Sequence, residues 1–406
     1  MKDIKPLFGL PVIVAALGYF VDIYDLLLFS IVRIPSLRSL GVAPESLLDE
    51  GEFLLQVQMT GLLVGGLIWG IMGDKRGRLS VLFGSILLYS LANIANGFVN
   101  TVDQYAILRF VAGIGLAGEL GAGITLVSEV LPTRLRGYGT ALVATVGLFG
   151  AVLANFVAKH FDWQTTYFIG GGLGLLLLIA RASVFESGLY MKVKEAAVQR
   201  GNFFMLFTNS FRLKKFIGCI LIGLPIWYVI GILITFSPEF AKELGITGEV
   251  VAGDAVMYSY LALAVGDFGS GFISQLFKSR KKIVFVFILL TLASILFYLF
   301  LPFKTVGFFY IACAFLGFAT GYWALFVTIA AEQFGTNLRS TVATTVPNFI
   351  RGTVVPITLS FKFLRGEVGI IYGALIVGII TIIIAVIALR SIDETFSRDM
   401  NFLENE

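Results

Sequence analysis

Glu129-Val-Leu-Pro-Thr133-Arg-Leu-Arg136 and Glu332-Gln-Phe-Gly-Thr336-Asn-Leu-Arg339 are the two stretches on which the reading of this chain turns. The Glu, Thr and Arg of the first recur in the second at one offset of 203 positions, half of the 406 residues. Gly118 and Gly321 share that offset. Each stretch closes a long apolar run. Three polar identities held in one register within so apolar a chain imply that a unit of half the chain is repeated.

Outward from these stretches, hydrophobic residues make up 57% of the chain, only 14% are charged, and the mean hydropathy is +0.91. A water-soluble domain keeps about a quarter of its residues charged so that its surface stays wetted. Here the charges are gathered into clusters. The intervals between them reach the roughly 20 residues, at about 1.5 Å each, that carry an α-helix through a bilayer. The pattern predicts an all-α membrane protein of twelve transmembrane helices. In the first half they cover 9–31, 53–73, 80–100, 104–130, 138–159 and 164–184; in the second, 214–238, 252–277, 281–302, 306–332, 340–363 and 366–390. The expected domains are two pseudo-symmetric six-helix halves, 1–184 and 214–390, a cytoplasmic linker, 185–213, and a cytoplasmic tail, 391–406. Two such halves around a midplane cavity are the layout of a secondary transporter.

The apolar run 8–30 follows a short basic segment, as a secretory signal would. It lacks a small-residue cleavage site and carries Asp22 and Asp25, so it reads as a retained first helix. The net charge of +4 reports topology rather than a nucleic-acid partner. With the N-terminus in the cytoplasm, the inner segments hold 21 Lys and Arg, Arg181 among them, and the outer ones 7, Arg33 among them. The expectation is a monomer in the lipid bilayer of a bacterial inner membrane, with both termini cytoplasmic. Cys219 and Cys313 lie in apolar runs, which argues against a disulfide framework. With one histidine, His160, and no metal-ligand or nucleophile constellation, neither a cofactor, a metal nor an enzymatic activity is expected.

Two short motifs sharpen the class. Gly73-Asp74-Lys75-Arg76-Gly77-Arg78 stands between the second and third helices. Gly77 suits the tight turn, the basic residues hold the loop inside, and Asp74 could face the positive end of a neighbouring helix. Gly61, Gly65, Gly66 and Gly70 give the small-residue spacing of close helix contact. The fourth helix reads Arg109-Phe-Val-Ala-Gly113-Ile-Gly115-Leu-Ala-Gly118-Glu119. Together with the Glu129–Arg136 closure, these motifs resemble the signatures of the major facilitator superfamily, the first in shortened form. The resemblance implies the major facilitator fold, alternating access, and a cytoplasmic latch of Asp74, Arg78, Glu129 and Arg136, with Glu332 and Arg339 as second-half counterparts. In it Asp74 caps the eleventh helix and Arg78 pairs near Glu129. The second-half loop, Lys278-Ser-Arg280-Lys-Lys282, carries no acid.

Ionisable groups inside a bilayer are costly and mark function. Asp22 and Asp25 lie three apart on the first helix and can face one side. Asp25 and Arg109 fall at matching depths, with Asp22 and Glu119 nearer the midplane. Val21-Asp22-Ile-Tyr-Asp25 resembles the aromatic-acid–proton symporters, and a first-helix aspartate opposite a fourth-helix arginine resembles the proton-coupled sugar porters. Asp22, Asp25, Glu119 and Arg109 are therefore the candidate proton-coupling set, with Asp25 foremost. A carboxylate facing an arginine stays ionised, and moved into a dry pocket it takes a proton.

Arg351, in Pro347-Asn348-Phe-Ile-Arg351-Gly-Thr-Val-Val-Pro356, falls about 16 Å into the eleventh helix, near the midplane. The flanking prolines and glycine open the backbone there. The run resembles the eleventh-helix segment of aromatic-acid symporters and animal organic-anion transporters. A cation so placed suits a carboxylate, which it can bind in a bidentate fork. Asn348, Trp227, Tyr228, Tyr258, Tyr260, Tyr322 and Trp323 complete the candidate substrate wall, while Asp267 in the eighth helix suits a pocket or a packing role equally. The expected function is proton-coupled symport of a small organic anion. An exporter, which in this superfamily tends to carry Gly-Pro midway along the fifth helix, fits less well with Thr145-Val-Gly-Leu-Phe-Gly150-Ala. A carrier of neutral sugars lacks its cluster of Gln and Asn in the seventh and eighth helices.

Overall fold

The computed structural model describes residues 6–76, 78–119, 127, 131, 133–186 and 203–396. The first half is built from α1 (Leu10–Ser39), α2 (Leu47–Arg76), α3 (Arg78–Asn96), α4 (Val102–Leu116), α5 (Thr133–Leu148), α6 (Gly150–His160) and α7 (Trp163–Glu186). The second follows with α8 (Ser210–Ile222), α9 (Leu224–Tyr228), a π-helical stretch Val229–Ile234, and α10 (Ser237–Glu243), which stack end to end as the seventh span. Then come α11 (Ala252–Leu276), α12 (Arg280–Leu299), α13 (Val306–Ala319), α14 (Trp323–Glu332), α15 (Thr336–Gly352), α16 (Val354–Val368) and α17 (Ile370–Ser391). The pairs α5–α6, α13–α14 and α15–α16 are the fifth, tenth and eleventh spans, each interrupted midway. Among the described residues these helices form the twelve expected columns, nine of them long and apolar enough to cross a bilayer by that measure alone.

Local chemistry sets the ends. Thr101, Ser279 and Thr305 each accept the N–H three residues ahead, capping α4, α12 and α13. The first span runs to Ser39 rather than residue 31, and Gly41, at φ 81°, takes the left-handed turn that ends it. Gly369, at φ 82°, likewise divides α16 from α17 and moves the start of the last span to Ile370.

The duplication extends to the backbone. In the fourth span Ala117 N–H bonds Gly113 O and Gly118 N–H bonds Gly115 O; in the tenth, Thr320 bonds Leu316 and Gly321 bonds Phe318. All four positions keep the offset of 203. The glycines are there because neighbouring backbones come too near for a side chain: a Cβ on Gly61 would sit 3.2 Å from Gly113 Cα, and one on Gly266 would sit 3.0 Å from Gly321 Cα.

Successive spans alternate in direction, so the bundle has a terminal face, near Leu10 and Ser391, and a far face. At the far face all three seams between halves carry ion pairs. Arg33 of α1 meets Glu239 of α10 at 2.6 Å, and Lys159 of α6 meets Asp254 of α11 at 2.5 Å. Lys362 and Arg365 of α16 meet Asp49 of α2 at 2.6 and 2.9 Å, and Arg365 reaches Glu52 at 3.2 Å. Nearer the terminal face the seam is packing instead. Asn348 of α15 lies against Gly66 of α2, where a Cβ would be 2.8 Å from its own, and its Nδ2 donates to Ala117 O at 2.7 Å.

Candidate functional site

A narrow cavity lies where the seams meet at mid-depth. The rings of Tyr19, Trp227, Tyr260 and Trp323 wall it, with Arg351 as its one charged lining residue and Ile23, Leu26, Leu148, Ile226, Ile230 and Leu263 as its apolar surface. The seventh span opens toward it by winding as a π-helix after Pro225, a turn closed by Thr235 N–H on Ile230 O at 3.2 Å. Such widened turns are frequent at functional sites.

Arg351 is buried, and its guanidinium stands 5.6 Å from the centre of the Trp227 ring and 6.0 Å from that of Trp323. These are cation–π distances. Across the seam its Nη2 lies 3.8 Å from Asp22 Oδ2, too far for a hydrogen bond. Neither Asp22 oxygen has a donor, and Arg351 Nε and Nη1 and the Trp227 indole N–H have no acceptor among the described residues. Buried polar atoms rarely stay unpaired. Here several face one another around one small cavity.

The other membrane charges are arranged differently. Arg181 of α7 binds Glu119 bidentately, Nη1 to Oε2 at 3.0 Å and Nη2 to Oε1, and both side chains are buried. Gly18 of α1 leaves room for the pair, since a Cβ there would overlap both partners. Glu119 was expected in the proton-coupling set, but its oxygens are occupied by Arg181, which had been counted with the cytoplasmic residues. Asp25 and Arg109 face each other without an ion pair. Arg109 Nη1 donates to Asn93 Oδ1 at 3.4 Å and its charge stacks on Phe29 and Tyr167 at 5.9 and 5.4 Å, while neither Asp25 oxygen has a donor among the described residues.

Of the expected substrate wall, Arg351, Trp227, Tyr260 and Trp323 line the cavity and four residues do not. Tyr258 is 41% exposed and stacks on Tyr310. Tyr260, two residues on and so on the opposite side of the helix, faces the cavity instead. Tyr228 turns away from its neighbour Trp227 and donates to Ala374 O at 2.6 Å. Tyr322 donates to Ile222 O at 3.2 Å. Asn348 sits one turn below Arg351 and belongs to the seam.

Of the expected latch, Glu129 lies outside the described residues, as do the side chains of Asp74, Arg78 and Arg136. Glu332 pairs with Arg280 at 2.7 Å, within the second half, and feels the charge of Arg339. The acid missing from the Lys278–Lys282 loop comes from Glu394, which accepts from the N–H groups of Arg280 and Lys281 at 3.1 and 3.2 Å and from Ser279 Oγ. Burial pushes the Glu394 carboxyl up, but these bonds and the Phe396 N–H hold it below the usual carboxylate range.

Residues 15–351 match the model of the Major Facilitator Superfamily. The chain belongs to that superfamily. It is a membrane transporter, as the sequence motifs implied, and not an enzyme. This facilitator is 24% identical over 376 residues to the putative niacin/nicotinamide transporter NiaP of Bacillus subtilis, covering 90% of this chain and 86% of that protein. It is 28% identical over 182 residues to the niacin transporter NiaP of Acinetobacter baylyi, a match spanning 44% of this chain and 40% of that one. The crystal structure of a D-xylose–proton symporter superposes with a TM-score of 0.70 at 16% identity, over 95% of this chain and 98% of the other. That likeness establishes the fold.

Sequence reasoning missed Tyr19 in the facilitator's cavity. Tyr19 had an available signal, since it stands three residues before Asp22 on the same helical face.

Proposed function

We propose that this facilitator carries a small aromatic monocarboxylate together with a proton. The observation that carries the reading is Arg351, buried among four rings with two donors lacking acceptors and Asp22 facing it from the other half. A carboxylate can occupy the open fork of the guanidinium, with the Trp227 N–H as a third donor, while its ring lies between the aromatic walls. As it stands the cavity has room for about one water, so its walls must part to admit a substrate. One cation and otherwise apolar walls favour a single negative charge on a flat body. The two relatives named for niacin, a pyridine carboxylate, support the same substrate class.

Coupling follows from the sharing of Arg351. A substrate carboxylate on the guanidinium displaces Asp22, and a buried carboxylate stripped of its cation takes a proton rather than remain charged. Proton and substrate then load together, while an empty site restores the Asp22–Arg351 contact across the seam. Asp22 therefore takes the foremost place that Asp25 held on sequence grounds; Asp25, beside Arg109, is kept as a secondary proton site. We propose further that the halves 1–184 and 214–390 rock about this seam, with the terminal face cytoplasmic, as the Lys and Arg distribution indicates.

The test is to titrate purified protein with niacin and with nicotinamide, which has nearly the same shape and no charge. Niacin is expected to bind at least about thirtyfold more tightly, the factor for roughly 2 kcal/mol. Equal affinity for the two would remove the carboxylate from the recognition.

A further inference from the structure

We infer that Asp267 is a positioning residue, which caps α14 from the neighbouring helix and thereby fixes Trp323 against Arg351. The inference rests on the reading of the cavity as the substrate site. The tenth span breaks at Thr320–Tyr322, and α14 restarts at Trp323 with orphaned N–H groups that must find acceptors inside the bundle. Tyr322, at the N-cap position, supplies none from its side chain. Asp267 of α11 does: its Oδ1 accepts the Ala324 N–H at 3.0 Å, with the Trp323 N–H as a weaker second contact. Asp267 is only 9% exposed. A carboxylate at a helix N-terminus also gains from the helix dipole.

The carboxylate reaches because Gly266 and Gly321 bring the two backbones into contact, with no room for a Cβ on either. Trp323 is the first residue of α14, so its ring is aimed by the very turn that Asp267 caps. That ring meets Trp227 edge to face at 6.1 Å and Arg351 at 6.0 Å. At the matching place in the fourth span, among the described residues, Asn348 donates to Ala117 O.

The experiment compares Asp267→Ala, Asp267→Leu and Asp267→Asn in the full-length protein in sealed proteoliposomes. Leucine has the same number and branching of side-chain heavy atoms without the oxygens, and asparagine keeps an accepting oxygen without the charge. Hydrogen exchange of the 320–332 segment and the niacin uptake constants are read on the same samples. The two capless variants are expected to speed exchange at the start of α14 at least tenfold. They should raise KM about tenfold while kcat stays within about twofold, and asparagine should restore both values. Unchanged exchange and KM in whichever capless variant is recovered would overturn the inference, as would asparagine behaving like leucine. Should the unaltered protein fail to bind niacin at all, the substrate reading falls while the exchange measurement still decides whether Asp267 holds the break.

Discussion

Two buried arginine–carboxylate pairs share this bundle, and they are built for opposite ends. Arg181 and Glu119 lie within one half, meet bidentately and leave no polar atom of either side chain unpaired among the described residues. Arg351 and Asp22 lie in different halves, stop at 3.8 Å and leave four side-chain atoms without partners beside a cavity. Each unsatisfied buried atom costs about 1–3 kcal/mol. The first pair is what a bilayer-buried charge requires in order to be inert. On the proposed reading the second gives up pairing that a ligand restores, at the seam about which the halves rock. In that reading it is incomplete pairing across the seam, rather than depth in the membrane, that marks the functional charge.

The largest effect should come from breaking the tight pair. Glu119→Gln strands the Arg181 cation and is expected to cost about 3–5 kcal/mol. Thermal unfolding of the variant should show a lowered Tm and poor yield, whereas Glu119→Leu with Arg181→Leu recovers most of the loss. A stable single variant with impaired pH-driven uptake would instead return Glu119 to the coupling set.

Arg351→Gln comes next. Losing a charge-assisted fork costs roughly 2–5 kcal/mol of binding, or about thirtyfold and upward in Kd. Its effect on Tm should be small, because the contact it removes is already half made. Arg351→Lys should recover only part of the affinity, since an ammonium lacks the planar fork. Titration and melting on one preparation check both statements, and a fall in Tm with unchanged affinity would make the two pairs alike after all.

The smallest effect lies at the far face, where ion pairs hold the seams. Glu239→Gln leaves Arg33 its bond to Leu47 O at 3.2 Å, so the loss is about 1 kcal/mol. A cysteine placed in the cavity as Ile226→Cys should then react roughly fivefold faster with an impermeant maleimide applied from the far side. Native Cys219 and Cys313 are buried and do not compete. No change in rate would mean that the far-face pairs do not hold the closed state.

The fold was almost wholly legible. Helix count and duplication follow from apolar run lengths and from the Glu–Thr–Arg echo, because a bilayer leaves the backbone few choices. The site was legible in kind and only partly in its members. Asp22, Asp25 and Arg351 stand out as charges in oily runs. Their pairing did not, since a helix apolar all round carries no phase by which to orient it. That is why Tyr258 was expected beside Tyr260, and Tyr228 beside Trp227. Arg181 was misread because it adjoins a polar stretch, yet α7 carries it inward to Glu119. Arg33 was placed outside because the first span was ended at residue 31, two residues before it. The break at Thr320–Tyr322, and with it the role of Asp267, hides among glycines that read equally well as packing.

The most direct measurement is proton uptake on binding. Purified protein in weakly buffered solution is mixed with niacin, and the pH change is followed with an indicator dye. If a substrate carboxylate displaces Asp22 from Arg351, the unaltered protein takes up about one proton per niacin bound, and Asp22→Asn binds niacin while taking up none. Binding without proton uptake in the unaltered protein, or equal uptake in the Asp22→Asn variant, would contradict the competition at Arg351.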